Sequence, residues 1–172
     1  MRKEAYFDLW DIEDWPKPEE IEHYFRAPPR PGKRWLFESG NDSASFTAEG
    51  VDGTAHLDPH KDRIDINLDM WGNPNFGVLL FWRKFGGAHD QAYTSKGDMT
   101  RLRDFVQSIH GTPLPVAFFV SFEEAWKAVK EFLETDGALP KSIEWIANRD
   151  LPRNTFPDQR SFKLAGGRFV TK

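Results

Sequence analysis

The most regular stretch of the chain is residues 63–71, where Ile64, Ile66, Leu68 and Met70 alternate with Arg63, Asp65, Asn67 and Asp69. A period of two marks a strand with one face on a core and the other in water. Other strand-like runs fall at 5–10, 34–39, 43–49, 53–58, 76–85, 115–121 and 142–147. The turn signals GND, VDG and GNPN lie between several of them at hairpin spacing. GVLLFW (77–82) is apolar at every position, which predicts a central strand covered on both faces.

Helical periodicity dominates three segments. In 121–137, Ser121 and Glu124 form a capping box, and Phe122, Ala125, Trp126, Val129, Phe132 and Leu133 share a face that ends at Gly137. In 98–111, Asp98 is a candidate N-cap for a stripe of Met99, Leu102, Phe105, Val106 and Ile109, stopped by Gly111. Near the N-terminus, Pro18 suits a first helical turn, and Ile21, Tyr24 and Phe25 follow on one face. That helix must end before the prolines of 27–33, which read as a loop or short hinge. Residues 85–98 read as a long polar loop, and the text after Asn148 as an irregular arm or trailing hairpin. These elements predict one α+β domain over 1–172, a largely antiparallel or mixed sheet packed against about three helices. Alternating β-α-β units with glycine-rich phosphate loops are missing, which argues against a doubly wound nucleotide-binding fold.

Composition narrows the picture. The chain has 172 residues, 15% of them aromatic, with seven Trp and fifteen Phe, which suits a globular protein with an aromatic core. It has no cysteine, so thiol catalysis, disulfides and cysteine-ligated zinc drop out, and a reducing cytoplasm fits. No apolar run approaches the ~20 residues of a membrane span. The N-terminus lacks the apolar segment of a signal peptide. The net charge of −4 gives no bulk attraction for nucleic acid or anionic lipid, so neither is expected as a direct partner.

Candidate chemistry is sparse. HLDPHKD (56–62) sets two histidines and two aspartates in ligand-like alternation, but Pro59 interrupts any ladder and makes a polar turn the expected outcome. No cofactor or metal is expected. A cluster of His89, Asp90, Tyr93, Ser95 and Lys96 is the one candidate acid–base site, and it supports an alternative reading as a small cytosolic enzyme.

Charge segregation is a stronger signal. Residues 38–69 hold eight acids against two bases, whereas 149–172 hold six bases against two acids. Either the acidic face is solvated beside a compensating basic tail of the same molecule, or it docks a basic partner. On the docking reading, Asp58, Asp62, Asp65, Asp69 and Trp71 are the candidate partner-binding residues, with Trp82 as a further one.

Residues 120–145, VSFEEAWKAVKEFLETDGALPKSIEW, resemble the C-terminal half of the first-described immunity-protein family of bacterial polymorphic toxin systems. The likeness rests on Val120, Glu124, Ala125, Val129, Phe132, Leu133, Gly137, Leu139, Pro140, Ile143 and Trp145, and covers about 70–145 as a family-like core, leaving 148–172 as the arm. TDGALP is slightly longer than the family's tight turn. The resemblance implies a non-enzymatic binder that neutralises a cognate toxin domain, commonly a nucleic-acid deaminase, by occluding its active-site cleft. It carries no catalytic residue with it.

Overall fold

The computed structural model describes residues 1–26, 34–164 and 166–171, and the loop expected at 27–33 lies outside them. Its elements are β1 (Arg2–Phe7), β2 (Trp10–Ile12), α1 (Pro18–Ile21), α2 (His23–Arg26), β3 (Ser43–Glu49), β4 (Asp65–Asn73), β5 (Gly77–Gly86), β6 (His89–Ser95), β7 (Asp104–Gln107), β8 (Pro113–Pro115), β9 (Phe119–Val120), α3 (Phe122–Glu134), β10 (Trp145–Ala147), α4 (Gln159–Leu164) and β11 (Arg168–Phe169). The main sheet runs β10-β6-β5-β4-β3-β1-β2, with β9 joined to β5 as its eighth strand. All its pairings are antiparallel. A smaller sheet runs β11-β7-β8, with β11 parallel to β7. The architecture is α+β, as the patterning predicts.

The alternation at 63–71 appears as β4, paired along Asp65–Asn73 with β5 and along Asp65–Trp71 with β3. Ile66, Leu68 and Met70 turn inward with Phe46 and Ala48 of β3 and Leu80 and Trp82 of β5. The apolar side of α3, Ala125, Trp126, Ala128, Val129 and Phe132, belongs to the same cluster. Burying each of the large side chains contributes about 1.5–3 kcal/mol. At one end the core is aromatic: Phe7 lies 4.9 Å from Tyr24, 5.6 Å from Trp35 and 6.0 Å from Phe46, ring to ring. The Trp35 indole N–H donates to the Tyr24 carbonyl at 3.1 Å, and the Trp35 ring lies where a side chain on Gly72 would have to go.

Two indoles fasten the turn after α3. Gly137 takes φ +93° and donates its N–H to the Phe132 carbonyl, and its own carbonyl accepts from Trp82 Nε1 at 2.8 Å. Trp145 Nε1 donates to the Pro140 carbonyl at 2.7 Å, and the Ser142 N–H donates to Glu131 at 3.0 Å. The helix starts as the capping box requires, with Ser121 accepting from the Glu124 N–H at 3.1 Å.

Strand β5 shares one edge between two partners: β6 covers Phe81–Gly86 and β9 covers Val78–Leu79. Leu80 falls at the changeover, where the buried Ser95 hydroxyl accepts its N–H at 2.9 Å and donates to the Phe118 carbonyl at 2.7 Å. One hydroxyl therefore replaces a missing ladder rung in the interior, where an unpaired amide would cost about 1–3 kcal/mol.

Several expectations are corrected. Residues 98–111 do not form a helix. Asp98 caps Thr100 at 3.0 Å as its residue type suggests, but only one 3₁₀ turn (Met99–Arg101) follows before the chain extends into β7. Strand pairing to β8 and β11 and the ion pairs of Asp104 with Arg101 and Arg168 outweigh the helical stripe. Residues 34–39 make one isolated bridge, Leu36 to Asn41, and 53–58 are turns. The loop expected at 85–98 is a hairpin, turned by Gly86 and Gly87 at φ +98° and +56° and continued by β6. Buried strand 115–121 resolves into a 3₁₀ turn (Val116–Phe118) followed by β9. The arm after Asn148 carries one short helix, α4, and the two-residue strand β11 between turns and bends.

Gly72→Ala should lower unfolding free energy by about 1–3 kcal/mol, because the new methyl meets the Trp35 ring. Ser121→Ala, which removes a cap from an exposed helix start, should cost about 1 kcal/mol. Urea melts of both variants check this, and a Gly72→Ala protein as stable as wild type would refute the close contact.

Candidate partner-binding face

The main sheet has two unlike faces. One carries α3. The other receives the odd-numbered side chains of β4 (Asp65, Asn67, Asp69, Trp71), which lie opposite Glu49, Thr47, Ser45 and Ser43 of β3 on one side and Phe85, Arg83, Phe81 and Leu79 of β5 on the other. These positions are mostly half-buried, whereas the even-numbered β4 positions from Ile66 to Gly72 are buried. This outer face changes character along the strands, from an ionic end through a polar middle to an apolar end.

At the ionic end the acids are already partnered. Asp65 is 7% exposed; it accepts from Arg63 Nε and Nη2, each at 2.9 Å, and from the Gly50 N–H at 2.9 Å. Arg63 also reaches Glu49 at 3.7 Å and Arg2 pairs with Glu4, while on the opposite face Lys84 pairs with Asp52 at 2.7 Å. The bidentate Arg63–Asp65 contact is of the stronger kind of charged hydrogen bond. Compensation thus comes from bases on neighbouring strands. In the C-terminal arm, Arg168 pairs instead with Asp104 at 2.7 Å. The expected alternative, in which the basic tail balances the acidic strand, is not how these contacts are made.

In the middle, Thr47 donates to Asn67 at 2.8 Å, and the Arg83 guanidinium lies 4.2 Å from the Phe85 ring. Asp69 sits between Ser45 and Phe81, with no ion pair within 4.0 Å among the described residues. Burial pushes its carboxyl above the usual aspartate range, and the Asn67 side chain and the Arg83 charge offset only part of that.

At the apolar end, the small sheet folds over the outer face. Leu79 clusters with Val106, Leu114, Val116, Phe118 and Phe119, and Trp71, Phe76 and Ile146 pack against that cluster. This is why GVLLFW is apolar on both sides: α3 covers Val78, Leu80 and Trp82, and the small sheet covers Leu79. The two layers are also tied where Asp42 accepts the Ile109 N–H at 3.0 Å. Between them an apolar groove of about 280 Å³ stays open, lined by Trp71, Leu79, Phe81, Leu114, Phe156 and Pro157 among others.

The sequence-predicted site residues therefore separate. Asp69 and Trp71 share the outer face. Asp65 lies on it too, but its carboxylate is taken up by Arg63 and the Gly50 N–H. Trp82 points to the opposite face: it is 4% exposed, pairs with Leu68 and gives its indole N–H to Gly137, so it is a core residue. Asp58 and Asp62 are exposed in the loop 50–64. Within that loop the Asp58 carbonyl accepts from the N–H groups of Lys61, Asp62 and Arg63, and its carboxylate accepts the His60 N–H at 2.8 Å. HLDPHKD is thus a wound turn. Among the described residues no group of three or more His, Asp and Glu is placed to hold a metal ion. In β6, His89 and Asp90 alternate across the sheet, Tyr93 packs on Trp82 at 6.1 Å, and Ser95 is the bridge described above. The candidate acid–base residues are thus dispersed along β6. Sequence reasoning missed Phe81, Phe156 and Arg83, whose only signal was an apolar or basic residue in a segment of uncertain parity.

The fold and this face define an α+β sheet protein that keeps one side of its sheet largely free of helices. A family model described as "Immunity protein Imm1" matches residues 16–147, most of the chain. The chain belongs to the Imm1 family of immunity proteins, and its role is accordingly immunity, with a toxin protein as partner. The match begins well before the core of 70–145 legible by eye, and takes in α1, α2 and β3. No curated protein and no solved structure matches the chain.

Because the Asp69 carboxyl titrates above its unfolded value, wild type is relieved of an unfavourable charge as pH falls. Asp69→Asn should therefore be more stable than wild type near pH 7, and that advantage should vanish below about pH 4, where Asp69 is protonated in both states. Urea midpoints measured across this range check the sign. A variant destabilised at pH 7 would contradict it.

Proposed function

We propose that this protein neutralises a cognate toxin domain by binding it with the outer face of the main sheet, in a way that occludes the toxin's active-site cleft. Family membership is the observation that carries the reading. The position of the surface is supported by the helix-free side of the sheet and by the acid excess of 38–69. Asp69 and Trp71 form the centre, and the exposed Asp58 and Asp62 form a charged rim. A standard interface buries ~800 Å² per partner and places its charges at the rim. Asp65 contributes by holding Arg63, and Trp82 contributes only to the core.

The toxin is read as a nucleic-acid deaminase met in the cytoplasm. A basic cleft that accommodates a phosphate backbone offers complementary charge to an acidic rim, which steers encounter and sets salt dependence. The absence of cysteine suits a reducing compartment. Neutralisation needs only tight association, so no residue of this chain is assigned a chemical step.

Calorimetric titration into the toxin domain encoded beside this gene, at low and high salt, tests the reading. Binding should be nanomolar or tighter and weaken with salt. Asp58→Lys with Asp62→Lys should slow association and flatten the salt dependence while sparing the fold. Tight binding indifferent to salt and to the double reversal would sink the acidic rim, and absence of binding would sink the function.

A further inference from the structure

The groove at the apolar end adds something the charge pattern does not contain. It is walled by three separate pieces of chain: Trp71, Leu79 and Phe81 from the main sheet, Leu114 from β8, and Phe156 with Pro157 from the arm. Its walls are fixed from behind. Phe156, 47% exposed, stacks on the buried Phe118 at 5.4 Å, and Leu79 is held by β9. Thr94, fully buried, donates to the Asn148 side-chain oxygen at 2.7 Å, which ties β6 to the start of the arm. An exposed aromatic held this way presents apolar area without the entropy cost of ordering it on contact.

Size and surroundings indicate the occupant. At about 280 Å³ the groove lies just below the ~300–1,000 Å³ of sites that enclose whole small molecules. It suits a single large side chain. It is also continuous with the proposed contact face, because Trp71 belongs to both. Two residues along the same strand and the same face is Asp69, cross-strand from Phe81, which itself lines the groove. A half-buried carboxylate with no ion pair within 4.0 Å among the described residues favours a cation from outside. Its burial also holds its pKa up in the free protein, a cost in stability that a partner's positive charge would relieve.

We infer that the groove between the main sheet and the C-terminal arm is the anchor pocket for the toxin, and takes one large apolar side chain whose basic neighbour pairs with Asp69. This rests on the immunity reading and deepens it, by naming the two adjoining chemistries on the toxin surface. Hot spots of this kind sit at the centre of an interface in a desolvated pocket, with charges at the rim, and this is the order found from Phe156 through Trp71 and Asp69 toward Asp58 and Asp62.

Three variants titrated against the toxin domain encoded beside this gene test it. Thr112→Trp places an indole from an exposed rim position into the groove, Asp69→Asn removes the anchoring charge, and Lys127→Ala on the exposed side of α3 is the remote control. The first two should each raise Kd by about 30-fold or more, and the control should leave it within about twofold. Asp69→Asn is expected to be more stable than wild type at neutral pH, so its loss of affinity cannot come from unfolding. If wild type binds tightly and Thr112→Trp and Asp69→Asn bind equally well, the anchor pocket is overturned while the immunity role stands. If wild type itself does not bind, both fall together.

Discussion

The nine-residue antiparallel pairing of β4 with β5 decides which side of the sheet every nearby side chain occupies. With a period of two there is no intermediate setting, and a slip of one residue would send Ile66, Leu68 and Met70 into water and Asp65 and Asp69 into the core. The buried row faces α3, whose own apolar stripe is complementary. The outward row then inherits whatever chemistry the alternate positions carry: carboxylates, an amide and one indole. The core and the candidate binding face are therefore consequences of one register.

That register also explains how so much acid is tolerated on one surface. Arg63 sits two residues before Asp65 and pairs with it and with Glu49, so compensation there is local and needs no distant segment. On the outward row of β4, Asp69 is left half-buried with no ion pair within 4.0 Å among the described residues. A group that destabilises the free protein and points outward fits binding better than folding, since proteins keep such residues where function requires them.

The small sheet and the C-terminal arm give the face its direction. Without them the outer side of β5 would expose Leu79 and Phe81. With them, most of that apolar surface is buried and the remainder is shaped into a groove beside the carboxylate. Arg168 takes part by pairing with Asp104, which docks β11 on β7. The tail thus supplies Phe156 and Pro157 to the groove wall, and among its described residues none is ion-paired with the acids of 38–69. An apolar groove at one end and exposed loop charges at the other match the core-and-rim layout of protein interfaces.

The sequence by itself determined the elements whose signals are local. The capped helix from Ser121 to the Gly137 turn, the alternation of β4, the GNPN turn that joins it to β5 and the family motif were legible, because caps, periodicity and turn chemistry act within a few residues. The family motif in particular is explained by the indole of Trp145 fastening the Pro140 carbonyl and by Gly137 in its left-handed turn. What only the tertiary structure decided was anything set by partners far along the chain. The stripe at 98–111 became a strand because β8 and β11 offered hydrogen bonds and Asp104 found two arginines. The uniformly apolar run of β5 gave no parity, so Trp82 could not be told from an outward residue until pairing with Leu68 put it inside. The groove joins residues 71, 114 and 156, and its existence depends on non-local packing that no window of sequence contains.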